Sequence, residues 1–253
     1  MTQLKIEDYV ISCVDEFKEY MGIDTFPVFS TVTKEIDLEK SKQQGFDSVA
    51  TAFYDVQTGT HKLEIWSQLY LPQFNAKYLI FHELTHILDA EVYSQKDKLK
   101  HMSNKGYTEY HAGQIDFMKL LGAENVNQPF VFKMDQRIET FGESKTALEF
   151  VDMPRELASE LIGRADFPAN IETLAVTLGL IFNYYGRRSI CLMYAENYND
   201  NADMGAIENF LGKDPVKALN KYMQGWFDAK KVALIDMLFG RMILSLVQKN
   251  KLS

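Results

Sequence analysis

Apolar residues recur at three- and four-residue spacing through Ile6, Tyr9, Val10, Val14, Phe17 and Met21, a stripe that predicts an amphipathic helix closed by Gly22. Beyond Pro27 the period changes. Residues 28–32 read as a strand, and residues 34–47 as a charged, glycine-containing loop. Two β-prone segments, 49–55 and 61–66, flank Gln57-Thr58-Gly59-Thr60 and predict a hairpin. Its exposed edge would either accept an extended peptide as a further strand or simply cover the core. Residues 78–89 then form an uninterrupted helix-compatible run. A second such run is opened by Thr108 as cap and stopped by Gly122.

From Met134 onward the pattern is strongly helical: residues 154–162, 171–185, 214–227 and 231–249 carry apolar side chains at helical spacing. Pro154 and Pro215 sit where first-turn prolines start helices. The polar, proline-containing connection at 125–129 marks the break. The expected fold is α+β and mostly helical. A domain at 1–125 holds a small sheet, and a helical bundle at 126–253 follows, the two able to pack as one unit.

Composition narrows the function. The chain has 253 residues, 46% of them apolar, enough for a sizeable core. A net charge of −8 and a pI near 5.2 argue against a broad basic surface for nucleic acid or anionic lipid. Cys13 and Cys191 are far apart and form no C-x-x-C, so neither a disulfide framework nor a thiolate zinc site is indicated. The polar, acidic start Met1-Thr2-Gln3-Leu4-Lys5-Ile6-Glu7-Asp8 lacks the apolar run of a secretory signal. The longest apolar run, 174–182, is about half the ~20 residues a membrane span needs. A cytoplasmic protein without a membrane span is expected.

The chemistry concentrates in His82-Glu83-Leu84-Thr85-His86. At about 100° per residue, two histidines four apart lie about 40° from one another and can hold one metal ion. Glu83 falls a quarter-turn aside, beside the metal rather than on it. Two neutral imidazoles, a third protein ligand and a water would complete a tetrahedral Zn²⁺ site, with Glu83 taking the proton of the attacking water. An ordinary half-buried helix would need other partners for those three polar groups.

The third ligand is sought in the helix beginning near Thr108. Glu109 serves a two-histidine, one-carboxylate site, with small Ala112 and Gly113 on its face allowing close approach. His111 is the rival for an all-histidine site and shares a stripe with Ile115 and Met118. Glu91 and Asp116 stand behind them. The extended H-E-x-x-H-x-x-G-x-x-H pattern is absent, because Asp89 and Val92 occupy its glycine and histidine positions. Asp89 is placed either to steer an imidazole or to face solvent. His61, at a turn, and His101, in a lysine-rich stretch, read as solvated surface histidines. Arg187-Arg188 would either clamp a carboxylate or solvate a helix end.

The N-terminal helix, small sheet, His82-Glu83-Leu84-Thr85-His86 and the later Glu109-Tyr110-His111-Ala112 with Leu120-Leu121 resemble the gluzincin metallopeptidases, and within them the ImmA/IrrE-like family. The resemblance covers roughly residues 5–122. It implies a gluzincin-like metallopeptidase domain with zinc on His82, His86 and Glu109, Glu83 as general base, and peptide hydrolysis, often of a regulatory protein. Such a site also needs a donor for the developing oxyanion, a task for His111, Tyr107 or Tyr110. The expected partner is a peptide or protein substrate. The alternative is a zinc-containing regulatory protein that acts by contact, with hydrolysis slow or absent.

Overall fold

Helix α1 spans Thr2–Met21 and buries Ile6, Val10, Cys13, Phe17 and Tyr20 along one side. Gly22, at φ 68°, closes it: its N–H reaches the Glu19 carbonyl while Ile23 N–H reaches that of Lys18, the paired bonds of a glycine C-cap. A computed structural model describes residues 2–36, 49–128 and 130–251. The expected loop at 34–47 falls outside these beyond residue 36, as does Pro129.

Strand β1 (Phe29–Lys34) runs parallel to β3 (Thr60–Trp66), which pairs antiparallel with β2 (Ala50–Asp55). The expected hairpin is therefore present, with Gly59 at φ 72° and the Asp55 carboxylate accepting from Gln57 N–H at 2.9 Å. Among the described residues the order β1–β3–β2 leaves β2 at an edge. Alternation on β3 buries His61, Leu63 and Ile65, so the surface position expected for His61 is corrected: it lies on the inner face.

Helix α2, Lys77–Asp89, buries Tyr78, Ile80, Phe81, Leu84, Thr85 and Ile87. Phe81 meets Phe17 and Tyr20 of α1 edge-on, each at 5.3 Å between centroids. The helix widens into a π-helical turn at Ala90–Ser94, and the chain reverses through Gln95 and Lys96, both at positive φ. Short α3 (Lys98–Ser103), capped by Asp97, leads directly into α4 (Lys105–Leu120). That continuity starts α4 before the expected cap, so Thr108 lies inside its first turn with its hydroxyl available for another partner.

The polar hairpin β4 (Arg137–Thr140) and β5 (Glu143–Thr146) is absent from the helical expectation after Met134. Its turn places Phe141 and Gly142 at positive φ. Helix α5 (Ala147–Ile162) starts at a Thr146/Glu149 capping box, which puts Pro154 in its interior rather than at its start. Helices α6 (Ile171–Tyr194), α7 (Gly205–Leu211), α8 (Lys213–Tyr222) and α9 (Ala229–Asn250) follow.

One apolar core runs from Ile6 to Leu246 across the expected boundary at 125/126. The two halves meet chiefly through α4 and α6. Gly186 lies against the Tyr110 carbonyl and Gly113 against the Asn183 backbone, so Gly113 serves the approach of α6 rather than that of α2. The fold is α+β and mostly helical. Among the described residues no helix is long and apolar enough to cross a membrane.

Candidate metal centre

The i, i+4 spacing on α2 turns His82 and His86 toward one point, where their Nε2 atoms stand 3.0 Å apart. From α4, Glu109 Oε2 reaches 3.8 Å from each. Among the described residues these three form the only His/Cys/Asp/Glu group close enough to share a metal ion. Ligands at about 2.05 Å in a tetrahedron lie about 3.3 Å apart, so a triangle of 3.0, 3.8 and 3.8 Å is near the size zinc requires.

The outer nitrogens are also held. His82 Nδ1 lies 3.0 Å from Asp116 Oδ2 and His86 Nδ1 2.9 Å from Thr108 Oγ1. A carboxylate only accepts, so His82 carries its proton on Nδ1 when neutral and offers its Nε2 lone pair to the shared point. Glu83, beside the triad, accepts the Ala52 N–H of edge strand β2 through Oε2 at 2.6 Å.

Electrostatics of the metal-free chain differ between neighbours. Burial alone would lower His82, but the hydrogen bond and charge of Asp116, with Glu83 and Glu109, push it up to about 9. Burial and the nearby His82 charge hold His86 well below the ordinary imidazole value. Burial pushes Glu83 up to about 7 against the opposing pull of His82 and the Ala52 N–H, and raises Glu109 as well. For Asp116 the penalty of burial is outweighed by Arg187 and His82, leaving it below the usual carboxylate value.

A cleft of about 670 Å³ opens over the triad. Edge residues Thr51–Tyr54 form one wall, and Ala175, Val176, Gly179 and Leu180 of α6 with Phe239 of α9 form an apolar wall from the C-terminal half. Gly179 leaves room for Glu109, since a Cβ there would lie 3.2 Å from Oε1. At another part of the cleft stand His61 and His101, stacked or tilted on Tyr54 at 4.7 and 5.3 Å. His61 is 4% exposed and bonded to Glu91, while His101 is half-buried and bonded to Ser94. Neither is the solvated histidine expected of it, and Glu91 is engaged away from the triad.

His111 does not join the centre. Two residues after Glu109 it projects to the other side of α4, where its Nδ1 lies 3.0 Å from both oxygens of buried Asp89 and its ring stacks on Tyr107. Asp89 therefore steers His111 rather than His82 or His86. Tyr110 donates to the Gly225 carbonyl at 2.7 Å; like Tyr107 and His111 it is not part of the cleft lining.

Three contributors escaped sequence reasoning in their actual roles: Thr108, Asp116 and Arg187. Arg187 grips Asp116 through Nε at 3.3 Å and Nη2 at 2.9 Å. Of the two partners offered for Arg187-Arg188, carboxylates hold both, since Arg188 pairs with Asp200. Thr108 on the α4 face of Glu109 was the legible signal. No local pattern connects residues 116 and 187. Compared with protein-family models, curated proteins and solved structures, the chain matches none.

Proposed function

We propose that this chain is a zinc-dependent metallopeptidase that hydrolyses a peptide bond, with His82, His86 and Glu109 holding the metal and Glu83 as general base. The convergence of three ligand atoms in one cleft, with both imidazoles held from behind, carries the reading. Zinc bound there would supply Lewis acidity to water and to the substrate carbonyl.

Residues of the chain would do the rest. The Asp116 bond keeps the Nε2 lone pair of neutral His82 inward, and the Thr108 contact fixes the ring orientation of His86, whose Nε2 lone pair faces the same point when Thr108 accepts from Nδ1–H. Glu83, which lines the cleft beside the triad, can take a proton from the attacking water and return it to the leaving amine. Thr51, Ala52, Phe53 and Tyr54 of β2 line the cleft, and an extended peptide would lie along them. The apolar α6 wall would then close over substrate side chains.

Elemental analysis and a peptide-cleavage panel test this together. Wild type should hold about one zinc per chain and cleave unstructured peptides, and Glu83→Gln should retain the metal while losing at least ~10²-fold in turnover. A wild type that takes no zinc on reconstitution, or a Glu83→Gln variant with full activity, would refute the proposal.

A further inference from the structure

We infer that Arg187, from the C-terminal half of the chain, is a positioning residue for the metal ligand His82, acting through Asp116. The inference rests on the zinc-site reading above and adds to it a residue 71 positions from the carboxylate it holds.

Asp116 is 1% exposed, and its Oδ2 is shared by His82 Nδ1 at 3.0 Å and Arg187 Nη2 at 2.9 Å. Oδ1 accepts from Arg187 Nε at 3.3 Å, so the guanidinium holds the carboxylate at both oxygens. A two-point grip fixes the plane of a carboxylate as a single bond cannot. The plane in turn fixes where Oδ2 presents itself to Nδ1, and hence the rotation of the His82 ring that aims Nε2 at His86 and Glu109.

The guanidinium is itself anchored. Its Nη1 donates to the Phe150 carbonyl of α5 at 2.7 Å. In a regular helix that carbonyl would accept the N–H of residue 154. Residue 154 is proline, inside the helix and without an N–H, so the Phe150 oxygen is free for Arg187. A proline that looks like a helix start thus supplies an acceptor. The series Pro154, Phe150 carbonyl, Arg187, Asp116, His82 ties α5 and α6 to α4 and to the metal helix α2.

A plain counter-ion role for Arg187 would also explain its burial beside Asp116, and Arg187→Lys separates the two. Lysine keeps the charge and loses the fork. Zn²⁺ affinity, by competition with a chromogenic chelator, and the visible absorption of the Co²⁺-substituted protein would be measured for wild type, Arg187→Lys and Arg187→Met, with urea unfolding of each metal-free chain. Positioning predicts a folded Arg187→Lys whose metal affinity falls 10- to 100-fold and whose Co²⁺ bands shift. Zinc affinity within about twofold of wild type and unchanged Co²⁺ bands in Arg187→Lys would overturn the inference while leaving the metal centre intact. Absence of metal from the wild type itself would instead refute the zinc-site reading, and this inference with it. Should Arg187→Met fail to fold, the lysine variant still decides.

Discussion

Replacing Gly186 by alanine should part α4 from α6 and disable the metal centre from behind. A Cβ there would stand 2.1 Å from the Tyr110 carbonyl oxygen, 3.0 Å from its carbon and 3.1 Å from Gln114 N. Carbon and carbonyl oxygen approach no closer than about 3.3 Å even in favourable contacts, so a local separation of about 1 Å is required. Every obstructing atom is backbone, and no side chain can turn away. Tyr110 adjoins Glu109, whose Oε2 lies 3.8 Å from both imidazoles, whereas metal sites tolerate about 0.2 Å in ligand distance. Overpacking of this kind costs about 1–3 kcal/mol, and each kcal/mol lowers Tm by about 2–4 °C at this chain length. Thermal melts of the metal-free chain should show that fall, and elemental analysis should show zinc below one per chain. Gly240→Ala is the control: its Cβ would meet nothing within 4 Å inside α9, and it should stabilise by about 0.5–1 kcal/mol. A Gly186→Ala protein with wild-type Tm and zinc affinity would refute the close-packing argument.

Thr108→Val removes the hydroxyl at His86 Nδ1 and should weaken zinc binding by about tenfold with little change in the far-ultraviolet circular dichroism; an unchanged chelator competition would dismiss the contact. His111→Ala leaves Asp89 buried without its imidazole and should cost about 1–3 kcal/mol in urea unfolding while zinc stays bound; selective loss of zinc would restore His111 as a ligand. In the metal-free chain His82 titrates near 9 when folded and near 6.5 when unfolded, so its contribution to stability is complete below about 6.5 and lost as pH rises through 9. Urea midpoints should therefore fall between pH 7 and 9.5, and Asp116→Asn should flatten that fall. For the same reason zinc must displace a proton, and its affinity should rise with pH over this window.

The elements set by local periodicity were legible. The α1 stripe ending at Gly22, the hairpin around Gly59 and the shared face of His82 and His86 follow from backbone geometry over a few residues. Glu109 was readable as the third member of the group because its distance in sequence lets a second helix pack back on α2, although the cap and the Gly113 contact expected around it serve other purposes. Two further readings were available in principle: the two-residue offset that sends His111 away from Glu109, and the β3 alternation that turns His61 inward with Leu63 and Ile65. What no local pattern holds is the partner of a side chain across tens of residues. Pro154 reads as a helix start until the capping box at Thr146 extends α5 past it, and its missing N–H matters only because Arg187 is there to use the carbonyl. Asp116 reads as one more acidic position until the packing of α4 against α6 places it between His82 and Arg187. Spacing along the chain thus determined which residues could bind a metal. Tertiary packing decided which of them are held in position to do so, because orientation depends on contacts between helices whose sequences carry no mark of one another.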